Sequence, residues 1–270
     1  MSYYSNINHS IYYYQLKGFE YVESPWLVDE DISNITKPLD RENFYVGDKA
    51  LVASGEQSFL QLISDKKISP GKFMTTTPCF RDENEDETHK KYFLKTELIL
   101  WDNKKSNINF EEELENIKNL CLEFFSKFLP CRLEKQEDNT NGNSYDIVDS
   151  TFGIELGSYG IRENSEIKWI YATGCAEPRL TYTINKFKKP GYHNTIIPKY
   201  KIGEVGKIIE EFHEFMDATI SGNKIMSLVE LSDLLGSIEY YLDKEFPGIT
   251  MKDLEIMSKT TQKAFINGRR

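Results

Sequence analysis

The sequence predicts an α+β fold. An antiparallel sheet with packed helices runs to about residue 190 and is followed by an all-α helical module over residues 191–270. Upstream, short β-rich runs are separated by polar turns, with one helical stretch among them. Downstream, apolar residues recur at helical spacing. Between the two, KFKKPGYHNTIIPKY (residues 186–200) sets basic residues, Gly and two prolines against the surrounding pattern, and the domain boundary is placed there.

The strand candidates are, in order, KALVAS, KFMTTTPCF, YFLKTELILW, YDIVDSTFGIEL and IKWIYATG, and the helical stretch is FEEELENIKNLCLEFFSKFL. In the module, Ile202, Val205, Ile208, Ile209, Phe212, Phe215 and Met216 mark one amphipathic helix. Ile225 through Leu242 mark a second, joined to the first at Ser221-Gly222-Asn223. After the Phe246-Pro247-Gly248 turn, Thr250 followed by Asp253 has the form of a capping box opening a third helix, which Gly268 is placed to stop.

Composition limits the function classes. No run approaches the roughly 20 apolar residues of a membrane span, and the opening MSYYSNINHSIYYY lacks the basic and apolar regions of a signal peptide, so a cytoplasmic protein without membrane contact is expected. A net charge of −10 disfavours broad, sequence-independent binding to nucleic acid, which draws its energy from displacing counterions around phosphates. Cys79, Cys121, Cys131 and Cys175 form no CxxC pair, and free thiols with neither disulfide nor zinc site are expected.

Two groups of residues carry chemistry. The first is Cys79-Phe80-Arg81-Asp82-Glu83, a polar loop, then His89, Phe93 and Glu97 on a returning strand. In such a hairpin the Arg81 guanidinium can fork onto a phosphate, Glu83 can accept hydrogen bonds and the Phe93 ring can stack on a base. Taken alone, the same residues fit a surface ion pair.

The hairpin resembles motif 2 of the class II aminoacyl-tRNA synthetases: Phe-Arg-x-Glu, a variable loop and a later Phe. Lys17-Gly18-Phe19-Glu20-Tyr21-Val22-Glu23-Ser24-Pro25-Trp26-Leu27 resembles motif 1, and Gly174-Cys175-Ala176-Glu177-Pro178-Arg179-Leu180 resembles motif 3, with Ala176 where that motif has its second glycine. The resemblance covers about residues 12–188. It implies a class II synthetase-like fold that binds ATP as substrate, with Arg81 at the α-phosphate, Arg179 at the γ-phosphate and Phe93 on the adenine. It also implies Glu83 near the adenine or the substrate's amino group, with His89 and Glu97 beside the nucleotide. The DETHKKYF loop is most similar to the phenylalanyl branch. Glu155 is a candidate Mg²⁺ ligand, or else an ordinary paired strand carboxylate. No segment resembles an anticodon-binding domain, so a complete tRNA synthetase is not expected.

The second group is Glu211 with Glu214 and Glu230 with Asp233, two pairs three residues apart, each on one face of its helix. On antiparallel helices the four carboxylates would converge and hold Mg²⁺; as isolated patterns they fit a solvated face equally. The text around them, from about residue 193 to the C-terminus, resembles MazG-like nucleotide pyrophosphohydrolases, in which ExxE and ExxD form the metal site. The two resemblances together imply ATP-dependent activation of an amino acid by the first domain, for a tRNA or another acyl acceptor. They also imply Mg²⁺-dependent hydrolysis of a nucleoside triphosphate by the second domain, and a homodimer with Pro25-Trp26-Leu27 at its interface. The alternative is a retired synthetase relative acting as a binding or regulatory dimer, with or without an active hydrolase.

Overall fold

The computed structural model describes residues 3–38, 41–136, 144–187, 193 and 197–266. Its contacts divide the chain into two compact units, Met1–Lys188 and Lys189–Arg270.

In chain order the N-terminal unit runs α1 (Tyr3–Leu16), β1 (Glu20–Tyr21), β2 (Leu27–Val28), α2 (Glu30–Asn34), β3 (Tyr45–Val46), β4 (Lys49–Leu51), α3 (Gly55–Ser64), β5 (Gly71–Phe80), β6 (Tyr92–Asn103), α4 (Phe110–Ser126), β7 (Cys131–Gln136), β8 (Ser144–Asp149), β9 (Glu155–Glu163), β10 (Ile167–Glu177) and α5 (Arg179–Lys186). Among the described residues the main sheet has seven strands in the order β1-β5-β6-β10-β9-β8-β7, and β2-β4-β3 form a second, smaller sheet. Every pairing in the main sheet is antiparallel except that of β1 with β5, which is parallel. The antiparallel expectation therefore holds for all but this edge strand, which lies in the motif 1 segment.

Side chains alternate across a strand, so the register of β6 and β10 sorts residues between two faces. On one face, α1 and α4 press an aromatic layer onto the sheet. Tyr14 and Phe124 sit 5.4 Å apart between ring centroids, Phe124 and Phe128 5.3 Å, and the Tyr14 hydroxyl donates to the Gly174 carbonyl at 3.0 Å. A Cβ on Gly174 would lie 2.8 Å from the Tyr14 ring, which is why the first motif 3 glycine has no side chain. On the other face, Phe59 and Leu60 of α3 pack on Phe73, Ile99, Trp101, Ile167 and Trp169.

Helices α1, α2 and α3 and one strand break depart from the sequence reading. The inward stripe of α1 is Asn6, Ile7, His9, Ser10, Tyr13 and Tyr14; its spacing is helical, but half of it is polar and so invisible to an apolar count. Helix α3 buries Gly55 through Leu62 on all sides, including Glu56, Gln57 and Gln61. The run YDIVDSTFGIEL is two strands, because the Asp149 carboxylate accepts from the backbone N–H of Thr151 at 3.0 Å, Phe152 at 2.8 Å and Ile154 at 2.8 Å and folds the chain into a turn.

The C-terminal unit contains α6 (Val205–Ile220), α7 (Lys224–Glu245) and α8 (Met251–Ile266). Gly222 takes a positive φ of 74° in the α6–α7 turn, and the Asn223 side chain caps α7 by accepting from the Met226 N–H at 3.1 Å. The capping box of α8 is formed: the Thr250 N–H donates to Asp253 at 2.9 Å and the Asp253 N–H to the Thr250 hydroxyl at 3.4 Å. Gly268 lies outside the described residues. Burial on the first two helices differs from an ordinary amphipathic pair. Glu210, Glu211, Glu214, Asp217 and Glu230 are buried, whereas Ile220, Ile225 and Leu228 are 80%, 77% and 70% exposed. Among the described residues no helix is long and apolar enough to cross a membrane.

Candidate functional site

The N-terminal unit has a cleft of about 590 Å³ on the α3 side of the sheet, and Arg81, Glu83, His89, Phe93, Glu97, Glu155 and Arg179 all line it. Its floor follows from register. Glu97 pairs with Thr173, the Ser158 N–H donates to the Thr173 hydroxyl at 3.2 Å, and Ser158 pairs with Asp146, so four strands contribute one polar row.

Arg81 leaves the end of β5 with its side chain fixed. Nε donates to the Ala53 carbonyl at 3.0 Å, the guanidinium lies 5.0 Å over the Phe93 ring, and a terminal nitrogen is 3.6 Å from Glu83. One face of Phe93 is thus covered by a cation. Arg179 opens α5, giving Nε–H to the Thr88 carbonyl at 3.4 Å and a terminal N–H to the Glu155 carboxylate at 3.0 Å. Glu155 is therefore Arg179's ion-pair partner. His89 sits in a tight turn, its Nδ1 2.9 Å from Asp86; this bond and the backbone N–H groups of Thr88 and His89 hold the Asp86 carboxyl well below its usual range. Glu97 has both oxygens engaged, one by the Gly55 N–H at the start of α3 and the other by Lys95 at 2.8 Å, so it anchors the cleft wall.

The C-terminal unit brings its four candidate ligands together. Glu210 with Glu211 and Glu214, Glu211 with Glu230 and Asp233, and His193 with Glu214 and Glu230 form three overlapping groups whose ligand atoms lie within 4.8 Å of one another. Lys207 reaches Glu210 at 2.6 Å and Glu211 at 2.5 Å; Lys199 pairs with Glu210 at 3.1 Å and also with Glu214. Burial lowers the proton affinity of the Lys207 ammonium, but its bonds to Glu210 and Glu211 outweigh that and hold its pKa well above the ordinary value. Burial and the charge of Glu214 push Glu230 upward. Two oxygens, Glu211 Oε2 and Glu230 Oε1, are buried without a hydrogen-bond partner. Hard oxygen donors, two of them unsatisfied, fit a hard divalent cation such as Mg²⁺.

Residues 51–170 match the family described as tRNA synthetases class II core domain (F), and the DETHKKYF loop lies inside the match. The fold is similar to solved synthetases. The cytoplasmic serine-tRNA ligase of Naegleria fowleri in complex with AMP has a TM-score of 0.54 at 18% identity, over 68% of this chain and 54% of that one. The pyrrolysyl-tRNA synthetase PylSc of Desulfitobacterium hafniense has 0.53 at 17%, over 67% and 68%. The seryl-tRNA synthetase of Pyrococcus horikoshii complexed with ATP has 0.54 at 17%, over 66% and 48%. The N-terminal unit has a class II tRNA synthetase-like fold. The chain spans about half the length of the two seryl enzymes. No curated protein matches it by sequence.

Several residues of the N-terminal unit escaped the sequence reading. Glu56 is buried in the cleft wall, bonded by Arg162 at 2.5 Å and the Trp169 indole at 2.7 Å; burial pushes its carboxyl up while Arg162 and Trp169 pull it down. Asp146 is pushed up to about 6 by burial and the neighbouring charge of Glu155. In the helical unit Glu210, Asp217, His193, Lys199 and Lys207 were likewise missed. The EExxExxD spacing of residues 210–217 was the available signal, since all four acids fall on one helix face. Burial pushes the thiols of Cys79, Cys121 and Cys131 up to about 12, leaving them as inert packing groups.

Glu177, two residues before Arg179, is 1% exposed and ties motif 3 to α1, accepting from Asn6 at 2.6 Å and from the Thr181 N–H at 3.0 Å. Burial pushes its carboxyl from 4.5 up to about 7, against the pull of those bonds. The folded protein therefore holds this proton more tightly than the unfolded chain does. The contribution is full below about pH 4.5 and is lost as pH rises through about 7, a difference of about 3 kcal/mol. Denaturant unfolding from pH 5 to pH 8 should show this loss, and Glu177→Gln should flatten the pH slope by that amount. An unchanged slope in the variant refutes the assignment.

Proposed function

We propose that the class II core activates an amino acid as its acyl-adenylate at the expense of ATP, and that the helical unit hydrolyses a nucleoside triphosphate to monophosphate and pyrophosphate in a Mg²⁺-dependent way. The observation carrying the first half is that Arg81 and Arg179, on separate elements and each oriented by a backbone carbonyl, line one polar cleft. Two fixed guanidiniums suit a polyphosphate, because their planar donor sets match phosphate oxygens. With Arg81 at the α-phosphate and Arg179 further along the chain, the substrate carboxylate attacks the α-phosphorus. The acyl–phosphate bond forms as the bond to pyrophosphate breaks, and both arginines offset charge on the oxygens. A phosphate entering beside Arg179 would replace Glu155 as its partner and release that carboxylate.

The second half rests on the buried, partnerless oxygens of Glu211 and Glu230. Glu211, Glu214, Glu230 and Asp233 would hold Mg²⁺, which would supply positive charge for the phosphates and the attacking water. Lys199 and Lys207 hold the surrounding acids in place, so the carboxylates are oriented before a cation arrives. We further propose a homodimer, supported by the exposure of Trp26, Ile225 and Leu228 at 56%, 77% and 70%.

For the core, Arg81→Ala or Arg179→Ala should weaken ATP binding by roughly ten- to a hundredfold, the cost of about 1.5–3 kcal/mol for losing a charged partner of a phosphate. Unaltered affinity in both variants rejects the ATP site. Pyrophosphate–ATP exchange should appear in the wild type with one member of an amino-acid panel. ATP binding without exchange for any of them would indicate the regulatory alternative. For the helical unit, Mg²⁺ should raise Tm, because a ligand that binds only the folded state stabilises it. Glu211→Gln and Glu230→Gln should abolish triphosphate hydrolysis with unchanged circular dichroism; full turnover in either would sink the hydrolase reading. Light scattering at micromolar concentration should return twice the chain mass, and a monomer there excludes the dimer.

A further inference from the structure

We propose that His193 is a ligand of the C-terminal metal centre, making it a mixed imidazole–carboxylate site that selects a first-row transition ion, with Mn²⁺ as the probe, over Mg²⁺. The inference rests on the metal-centre reading above and deepens it by naming a fifth ligand and the class of ion.

The imidazole stands among three carboxylates with its two nitrogens facing different partners. Nε2 is 3.8 Å from Glu214 Oε1 and 4.0 Å from Glu230 Oε1. Both distances are too long for direct hydrogen bonds. They are close to the spacing of two ligands around one ion, since donors about 2.1 Å from a cation stand roughly 3 Å apart when adjacent and roughly 4.2 Å apart when opposite. The oxygen facing Nε2 is also one of the two with no hydrogen-bond partner, on a glutamate that is 1% exposed. An unsatisfied buried acceptor and a ring nitrogen thus look at each other across a gap of cation size.

The second nitrogen faces another carboxylate. Nδ1 is 3.5 Å from Asp217 Oδ2. Metal-binding histidines commonly give their other ring N–H to a carboxylate, which fixes the tautomer and turns the free lone pair toward the metal. Asp217 is 8% exposed and stands where that carboxylate should be, one helical turn beyond Glu214. At 3.5 Å this is a close approach rather than a made hydrogen bond; in the proposed centre Asp217 is the positioning residue and Nε2 the donor.

The donor set decides the class of ion. Glu211, Glu214, Glu230 and Asp233 alone are hard oxygens suited to Mg²⁺, which dehydrates reluctantly and gains little from imidazole. One imidazole among carboxylates shifts the preference toward ions that accept both nitrogen and oxygen, of which Mn²⁺ is the hardest in the first row.

The test uses the full chain without nucleotide. Free Mn²⁺ is titrated by electron paramagnetic resonance with Mg²⁺ as competitor, and bound Mn²⁺ is examined by electron spin echo envelope modulation for coupling to ¹⁴N. The wild type should bind Mn²⁺ at least about tenfold more tightly than Mg²⁺ and show the nitrogen coupling. His193→Gln and His193→Asn, with metal-free melting temperatures matching the wild type, should lose the coupling and weaken Mn²⁺ about ten- to a hundredfold while changing Mg²⁺ affinity less than about threefold. Asp217→Asn should weaken Mn²⁺ but keep the coupling. Mn²⁺ bound without nitrogen coupling, or coupling that survives in His193→Gln, overturns the proposal and leaves an all-carboxylate centre standing. Failure of both cations to bind overturns the metal centre itself.

Discussion

The pairing of β6 with β10 is the constraint on which the N-terminal unit depends. Their register runs from Ile167 opposite Asn103 to Glu177 opposite Leu94, and it assigns each side chain to one of two incompatible surroundings. Thr96 and Leu98 go to the face under α1 and α4. Glu97, Tyr171 and Thr173 go to the cleft. A slip of one residue would drive Glu97 into the aromatic layer and expose Leu98 in the cleft, so the hydrophobic effect and the cost of burying charge enforce the same register. The irregularity between Thr173 and Cys175 lies where the strand runs into motif 3 and shifts the pairing just before Glu177 and Arg179.

Buried charge is the second organising cost, and the protein meets it differently in its two units. In the core each buried carboxylate has a fixed partner: Arg162 and Trp169 for Glu56, Lys95 and the Gly55 N–H for Glu97, Asn6 and Thr181 for Glu177. These pairs make rigid walls around the cleft that Arg81 and Arg179 line. Among the described residues of the helical unit six acids, Glu210, Glu211, Glu214, Asp217, Glu230 and Asp233, face two lysines and one histidine. Such an excess of like charge is unfavourable in a protein interior unless a further cation shares it.

What could be read from the chain alone follows the same division. Motif 2 was legible because Arg81, Glu83 and Phe93 are conspicuous types at fixed places on a β-hairpin, and the hairpin itself shows a period of two. The four metal-ligand candidates were legible from i, i+3 spacing. Helices α1 and α3 were not, because tertiary contacts rather than apolar periodicity bury Asn6, Ser10, Glu56 and Gln57. Asp149 hid a turn inside an apparently continuous strand. The counter-ions were illegible for a related reason: Arg162 lies 106 residues from Glu56, and Lys199 and His193 come from the Pro-containing segment ahead of α6, so no local pattern links them to the acids they meet.

The two sites thus approach a triphosphate from opposite signs of charge. In the core the lining guanidiniums, Arg81 and Arg179, are of the sign and shape that suit phosphate oxygens directly. In the helical unit the lining is anionic, so a phosphate would need a cation held by the carboxylates in order to approach. Affinity in the first site follows from side chains held rigidly by backbone carbonyls at Ala53 and Thr88. Affinity in the second would depend on cation concentration, because a bound metal would be part of the surface the nucleotide sees. On the proposed function the core would discriminate by shape, whereas the helical unit would inherit its selectivity from the ion its ligands select, and a single nitrogen donor among oxygens is enough to change that ion.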